Sequence, residues 1–430
     1  MQKHTEGANK MHYNVFVTRM MDQTRVILHS DINNCYASIE ILQRPELQGK
    51  AVAVCGAKEE RHGIVLAKSA LAKRFGVKTG EAIWQAQQKC PELIIVPPHF
   101  ELYQEYSQKL RQIYAQYTSQ VEPFGLDECW LDITASQNLF GKPVDLAKKI
   151  AQKIYAETKL SVSIGISFTK EFAKLASDLA SDGSVYALPP SSLKTEIWLL
   201  PIKSLIGVGR ATWQVLERHG IETIGDLANL DVALPELWLG KNGKNLWQIA
   251  NGIPLSAVKE NISRHIPQSI GNGVTCRRDL LNIDMVHSVL EKLAQKVSSR
   301  LRQEVMLAEG VQLTIKRNDL STLQRQVQLN KPTQSAKLLL AACLELFEAS
   351  YDLKTELPVR ALTIRAINLT FVKPEEQLSL SSPVQSKQEK LDLALYRLQK
   401  KFGAQSVGYA DQLGSNNLPE TDYTIVSLPN

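Results

Sequence analysis

Short apolar runs of strand length alternate with stretches of helical periodicity through the first 180 residues, and this alternation demands an α/β or α+β core. Val26-Ile27-Leu28 is a brief apolar run ending in Ser30-Asp31, which reads as a buried strand with a carboxylate at its exit. Residues 35–42 turn helical and stop at Arg44-Pro45. Residues 51–54 read as a second strand, 65–75 as a helix capped by Gly76, and 93–96 as a strand closed by Pro97-Pro98. Over residues 100–117, Leu102, Tyr103, Tyr106, Leu110, Ile113, Tyr114 and Tyr117 recur at helical spacing, a stripe that belongs to core packing rather than base stacking. Residues 121–133 form a turn or strand pair, 142–157 a helix, 161–167 an alternating strand and 170–180 a helix.

Beyond Pro189-Pro190-Ser191-Ser192 the pattern changes. Residues 193–258 are helical with glycine-bounded turns, 259–268 read as a linker, and 269–372 return to mixed structure. Helices are expected there at 284–304 and 333–350, with strands at 310–316, 322–329 and 359–370. From Lys373 the chain is polar, and it ends in a basic helix at 387–402 and a tail. A length of 430 residues fits roughly two to four domains.

The hydrophobic fraction of 44% and charged fraction of 22% exclude a disordered or fibrous chain, and a net charge of +6 leans mildly toward a polyanionic partner. Six cysteines (35, 55, 90, 129, 276 and 343) are scattered without C-x-x-C, which points to neither a disulfide framework nor a zinc site and fits a reducing cytosol. No apolar run approaches the ~20 residues that span a bilayer. Residues 1–24 lack a signal-peptide core and read as a loose extension, with Met11, Met20 or Met21 as alternative starts.

Asp31 at a strand exit and the doublet Asp127-Glu128 near a turn are the residues with chemistry to offer. Nucleotidyl transfer needs divalent cations to activate a hydroxyl and to neutralise a triphosphate, and Mg²⁺ takes few protein ligands, mostly carboxylates. In a regular strand Asp127 and Glu128 would point to opposite faces, so convergence requires the turn that Pro123-Phe124-Gly125 offers. Taken alone, one such doublet in a chain of this size is close to chance.

The surrounding residues add a resemblance. Asp31-Ile32-Asn33-Asn34-Cys35-Tyr36-Ala37-Ser38-Ile39-Glu40 resembles the first motif of Y-family (DinB/UmuC-like) translesion DNA polymerases, and Phe124-Gly125-Leu126-Asp127-Glu128-Cys129-Trp130-Leu131-Asp132 the second acidic motif. Between and after them, in the family's order, come Ala67-Lys68-Ser69, Lys73-Arg74-Phe75-Gly76-Val77, Pro97-Pro98-His99-Phe100, Ser163-Ile164-Gly165-Ile166-Ser167 and Phe172-Ala173-Lys174-Leu175-Ala176-Ser177-Asp178. The likeness runs from about residue 25 to about 380.

The resemblance implies an α+β right-hand polymerase: a ferredoxin-like palm (25–33 and 101–188), small fingers (34–100), a helical thumb (189–258), and after the linker a separate α/β little-finger domain (269–372) and tail (373–430). It implies that Asp31, Asp127 and Glu128 are catalytic and hold two Mg²⁺ ions with help from the Ile32 carbonyl. Tyr36, a core aromatic by its residue type alone, falls at the steric gate under the sugar; Lys73 is either a solvated helix-face lysine or a triphosphate contact. Ser181 stands where many members carry a triphosphate lysine, so that contact is lost or passes to Lys174 or Lys170; Asn33-Asn34-Cys35 looks more like the UmuC branch, and Gly125 replaces a usual serine.

Leu205-Ile206-Gly207-Val208-Gly209-Arg210 and the glycine turn at 220 resemble the thumb's helix-hairpin-helix, whose backbone N–H groups approach phosphate. Residues 265–372 hold 14 Lys and Arg against 10 Asp and Glu, and Arg277-Arg278 and Lys316-Arg317 are either a solvated face or a track for the duplex backbone. Gln377-Leu378-Ser379-Leu380 looks like a sliding-clamp peptide. The expectation is therefore a monomeric cytoplasmic, nucleoid-associated enzyme, with primer-template DNA and dNTPs as substrates and the clamp as partner. A catalytically silent, clamp-recruited DNA-binding scaffold is the alternative, and retention of all three acids argues against it. A nucleotidyl cyclase with a similar palm is disfavoured by the thumb-like and clamp-like segments.

Overall fold

The computed structural model describes residues 25–56, 63–260, 267–372, 387–403 and 406–407. Their contacts divide them into two units, one ending at the 259–268 stretch and one following it. In chain order the first unit carries β1 (Ile27–Ile32), α1 (Cys35–Gln43), β2 (Val52–Cys55), β3 (Val65–Lys68), α2 (Ala70–Arg74), α3 (Ile83–Lys89) and β4 (Ile94–Val96). It continues through α4 (Phe100–Tyr114), β5 (Val121–Phe124), β6 (Glu128–Asp132), α5 (Pro143–Thr158), β7 (Val162–Ser167), α6 (Lys170–Leu179) and β8 (Val185–Ala187). Four further helices follow: α7 (Arg210–Arg218), α8 (Ile224–Ala228), α9 (Ala233–Leu239) and α10 (Lys241–Ala250).

The main sheet is ordered β5-β6-β1-β7-β8, antiparallel except for the β7–β8 pair. With α4 and α5 as the two crossovers, β1-α4-β5-β6-α5-β7 has the order of a split β-α-β, ferredoxin-like sheet. Leu28 and Ile32 of β1 join Leu110, Ile113, Leu146, Ile150 and Ile154 in one core, and the Ser30 hydroxyl accepts from Tyr114 at 2.9 Å. The alternate residues Ile27 and His29 face α6, through Ala173 and Ser177. α6 lies against β7 so closely that a Cβ at Gly165 would stand 2.0 Å from the Ala173 carbonyl oxygen and 2.2 Å from the Ser177 nitrogen. Only glycine fits there.

A second sheet, β3-β2-β4, has its own core between Ala53, Cys55, Val65, Ala72 and Ile83. Here the helix expected over 65–75 is half strand. Val65 and Ala67 pair with Cys55 and Val54, and burial on that face overrides the helix-like spacing. The helix begins only after Ser69, whose hydroxyl accepts the Ala72 N–H, and Gly76 ends it at φ +79° as expected. Tyr103, Leu110, Ile113 and Tyr114 of α4 are buried, as core packing requires, and α4 stops at Tyr114 rather than 117.

The second unit contains β9 (Ser269–Leu280), α11 (Ile283–Gln303), β10 (Met306–Arg317), β11 (Thr322–Thr333), α12 (Ala336–Ser350), β12 (Val359–Phe371) and α13 (Lys387–Phe402). Its antiparallel sheet runs β11-β10-β12-β9, with α11 and α12 packed against it around Val289, Leu293, Leu313, Phe347 and Ile364. β9 is an edge strand that no residue pattern announced, because Gly271-Asn272-Gly273 are poor strand formers. All six cysteines are free and buried, four in the first unit and two in the second. Among the described residues no helix is long and apolar enough to cross a membrane.

Candidate active site

Asp31 lies directly opposite Glu128 on the paired strands β1 and β6, so the two carboxyls share the sheet face that α6 covers. Asp127 belongs to the turn that joins β5 to β6, and its carbonyl accepts the Ile32 N–H at 3.1 Å. That turn is possible because Gly125 takes φ +79°, leaving Asp127 outside the strand alternation that would have turned it away from Glu128. Three acids separated by almost a hundred residues thus meet. Ile32 itself is buried by its side chain.

Their electrostatics follow from that crowding. Burial, then the charges of Glu128 and Asp127, push the Asp31 carboxyl up to about 8, against the pull of Lys174. Burial and Glu128 also raise Asp127. The Lys174 ammonium stands 2.7 Å from Glu128 Oε1 and 3.6 Å from Asp178. Burial lowers Lys174, but the charge and hydrogen bond of Glu128 outweigh it and the net shift is upward.

Behind Glu128 sits His29, wholly buried and tilted against Trp130 at 5.5 Å. Burial first, then Lys174, lowers its pKa, so it is neutral. Its Nδ1 meets Ser177 Oγ at 2.7 Å, while the Ser177 hydroxyl donates to the Lys174 carbonyl; Nδ1 is therefore the protonated nitrogen. Nε2 is left without a partner, 3.9 Å from Glu128 Oε2.

A divalent cation fits this donor set, because buried carboxylates in one another's field are stabilised by a hard cation. Among the described residues no three His, Cys, Asp or Glu side chains form a finished ligand cage, and Glu128 is instead turned onto Lys174.

Tyr36 stacks on Tyr103 with centroids 4.3 Å apart and meets Phe100 edge-on, so its ring is partly core, as residue type alone suggested. Burial, then the charge of Asp127, pushes its hydroxyl up to about 12, which puts that hydroxyl in the field of the acids. Asn33 links the β1 exit to Ser161 and Ser163, and Ser163 Oγ also contacts the Ser181 carbonyl and the Gly183 N–H. Lys73 is exposed and lies 3.8 Å from Asp182 in that same loop. Lys170 is taken out of contention for a triphosphate, since it is buried over Trp130 with its ammonium 3.1 Å from Glu122. His29, Ser177 and Asp178 were not singled out from sequence. Period-two spacing from Asp31 would have found His29.

Gly207 has φ +90° and Gly209 is the N-cap of α7, with no side chain capping the helix, so backbone N–H groups are presented there. In the second unit Arg277 and Arg278 are exposed on β9, and Lys316 lies between Thr322 and Ala361 in the sheet. Arg317 departs from its expected role. Its guanidinium donates to Glu356 at 3.1 and 2.5 Å and lies 5.4 Å from the Tyr351 ring, so its charge is used within the unit. Gln377, Leu378 and Leu380 lie outside the described residues.

A ferredoxin-like sheet with acids at the exit of its central strand and at the adjoining hairpin turn defines the nucleotidyl-transfer palm class. Residues 30–178 match the impB/mucB/samB family and residues 267–382 match its C-terminal domain. The chain is 42% identical over 385 residues to DNA polymerase IV of Acetivibrio thermocellus, covering 89% of this chain and 96% of that protein. It is 35% identical over 392 residues to DNA polymerase IV 2 of Bacillus subtilis, covering 89% and 93%. In fold it resembles a solved Y-family DNA polymerase chimera of Dbh and Dpo4 (TM-score 0.71, 21% identity, 81% of this chain and 100% of that one). The chain belongs to the impB/mucB/samB family, the bacterial Y-family DNA polymerases. The names of these relatives favour the DinB side over the UmuC-like look of Asn33-Asn34-Cys35.

Proposed function

We propose that this DNA polymerase adds dNTPs to a primer 3′-hydroxyl by metal-assisted nucleotidyl transfer, and that it serves error-prone translesion synthesis in the DNA-damage (SOS) response. The carrying observation is Asp31 facing Glu128 across β1 and β6, with Asp127 at the turn beside them. Two Mg²⁺ ions, when bound, would lower the pKa of the attacking hydroxyl and neutralise the triphosphate and the departing pyrophosphate. Asp31 and Asp127 would hold them with the Ile32 carbonyl, and Glu128 would join after leaving Lys174. Lys174 and Lys73 are cations for the triphosphate, a role Ser181 cannot take.

In this reading the β5-β6-β1-β7-β8 sheet is the palm, the β3-β2-β4 sheet with its helices the fingers, α7 to α10 the thumb, and the second unit the little finger. Gly207 and Gly209 would approach a phosphate, and Arg277, Arg278 and Lys316 would track the duplex. The tail segment at Gln377, Leu378 and Leu380 would bind the clamp, and the enzyme would act as a cytoplasmic monomer at the nucleoid.

Primer extension with Mg²⁺ tests the reading: the native chain should extend, and Asp127→Ala with Glu128→Ala should lose activity by about 10³-fold or more. Equal extension by both, or by neither, would sink it. Tyr36→Ala should raise ribonucleotide incorporation relative to dNTP by at least about tenfold, because the ring would no longer exclude a 2′-hydroxyl. Unchanged sugar selectivity would return Tyr36 to the core alone.

A further inference from the structure

Lys174 stands between two acids. Glu128 lies across from it on β6, and Asp178 lies one turn further along α6. Lys174 and Glu128 have side chains only 17% and 16% exposed, so their attraction is little screened, whereas Asp178 is 49% exposed. Elsewhere Glu128 meets the unprotonated Nε2 of His29, a lone pair that offers it no hydrogen bond, and the side chain of Asp31, a hydrogen-bond partner that brings no positive charge. Lys174 is therefore the counterion of Glu128 until a stronger cation arrives, and it already has a second carboxylate, Asp178, within reach.

We propose, resting on the metal-binding reading above, that Lys174 is a transferable counterion: it holds Glu128 in the metal-free chain and passes to Asp178 when Glu128 turns to a divalent cation. Lys174 is on this account a positioning residue that sets how readily the acids accept metal. The move tightens a pair that Lys174 already makes with the half-exposed Asp178 as the metal takes over Glu128, so the buried Glu128 is never left without a cation.

The test is a double-mutant cycle on the full chain without DNA, with Mn²⁺ as the probe, followed by calorimetry or by the Mn²⁺ resonance signal. Lys174→Met should bind Mn²⁺ about tenfold tighter and melt at lower temperature in EDTA. Asp178→Asn should bind about threefold more weakly, because Lys174 then has no other acceptor. The decisive result is the double variant, which should match Lys174→Met alone, since Asp178 acts only through the lysine.

Additive effects would mean independent through-space charges and would overturn the proposal; so would unchanged Mn²⁺ affinity in all variants, the outcome for a purely structural pair or a lysine serving the triphosphate alone. If Lys174→Met does not fold, Lys174→Gln takes its place, and unchanged Mn²⁺ binding by Asp178→Asn is then sufficient to reject it. A native chain that binds no Mn²⁺ would instead overturn the metal reading, which separates the two failures.

Discussion

Asp31→Asn should reduce single-turnover primer extension by about 10³-fold or more and, in the same protein, raise the melting temperature of the metal-free chain by a few degrees. The two effects share a cause. Asp31 is held where burial and two neighbouring carboxyls disfavour its charge, which metal chemistry needs and folding must tolerate. Its carboxyl sits at about 8 in the folded chain, above the ordinary value of about 3.9, so the folded state binds the proton more tightly than the unfolded state does. Its contribution is therefore most favourable below about 4 and is lost as pH rises from about 4 to about 8. The neutral amide should remove that slope. A melting temperature in EDTA that falls on substitution, or an unaltered pH dependence between these limits, would contradict the placement of Asp31 among its neighbours.

The second large effect is expected at Gly165, which touches no substrate. Gly165→Ala would drive a methyl to 2.0 Å from the Ala173 carbonyl and 2.8 Å from the Ala176 carbonyl carbon, all backbone that cannot rotate away. Either α6 lifts from β7 or β7 bends, at a cost of more than about 3 kcal/mol. Because α6 carries Lys174, Ser177 and Asp178, partial accommodation would also displace the whole charged face opposite the acids. Thermal unfolding should show a large drop or no cooperative transition. An alanine variant that melts like the native chain would mean that helix and strand are not in such close apposition.

These two residues also show how far sequence reasoning reached. Asp31, Asp127 and Glu128 were accessible because the surrounding motifs are contiguous and each acid sits at a strand end or turn, where backbone chemistry is local. Alternation along the chain gave only an α/β or α+β core; the ferredoxin-like palm was what the family resemblance implied. Gly165 was visible only as part of a motif, since its necessity arises from a helix that returns in space. β3 was hidden inside a helix-like spacing because its partner strand, not its own residues, decides its state. β9 was hidden because glycines at an edge strand look like loop. Lys170, one of two alternatives for a triphosphate contact, and Arg317, either a solvated-face residue or a duplex contact by its sequence, are each paired with an acid distant in sequence, Glu122 and Glu356. Partners of this kind leave no local trace.

Concealment of every thiol gives the chain a built-in stopwatch. Burial pushes Cys35, Cys55, Cys129 and Cys343 up, so each is both shielded and unreactive until its surroundings come apart. Alkylation by a small electrophile therefore proceeds at the pace of opening rather than of chemistry. Peptides bearing Cys35 or Cys129 would clock the core packed on the sheet that carries the acids, and those bearing Cys276 or Cys343 the later unit, without adding a label to either.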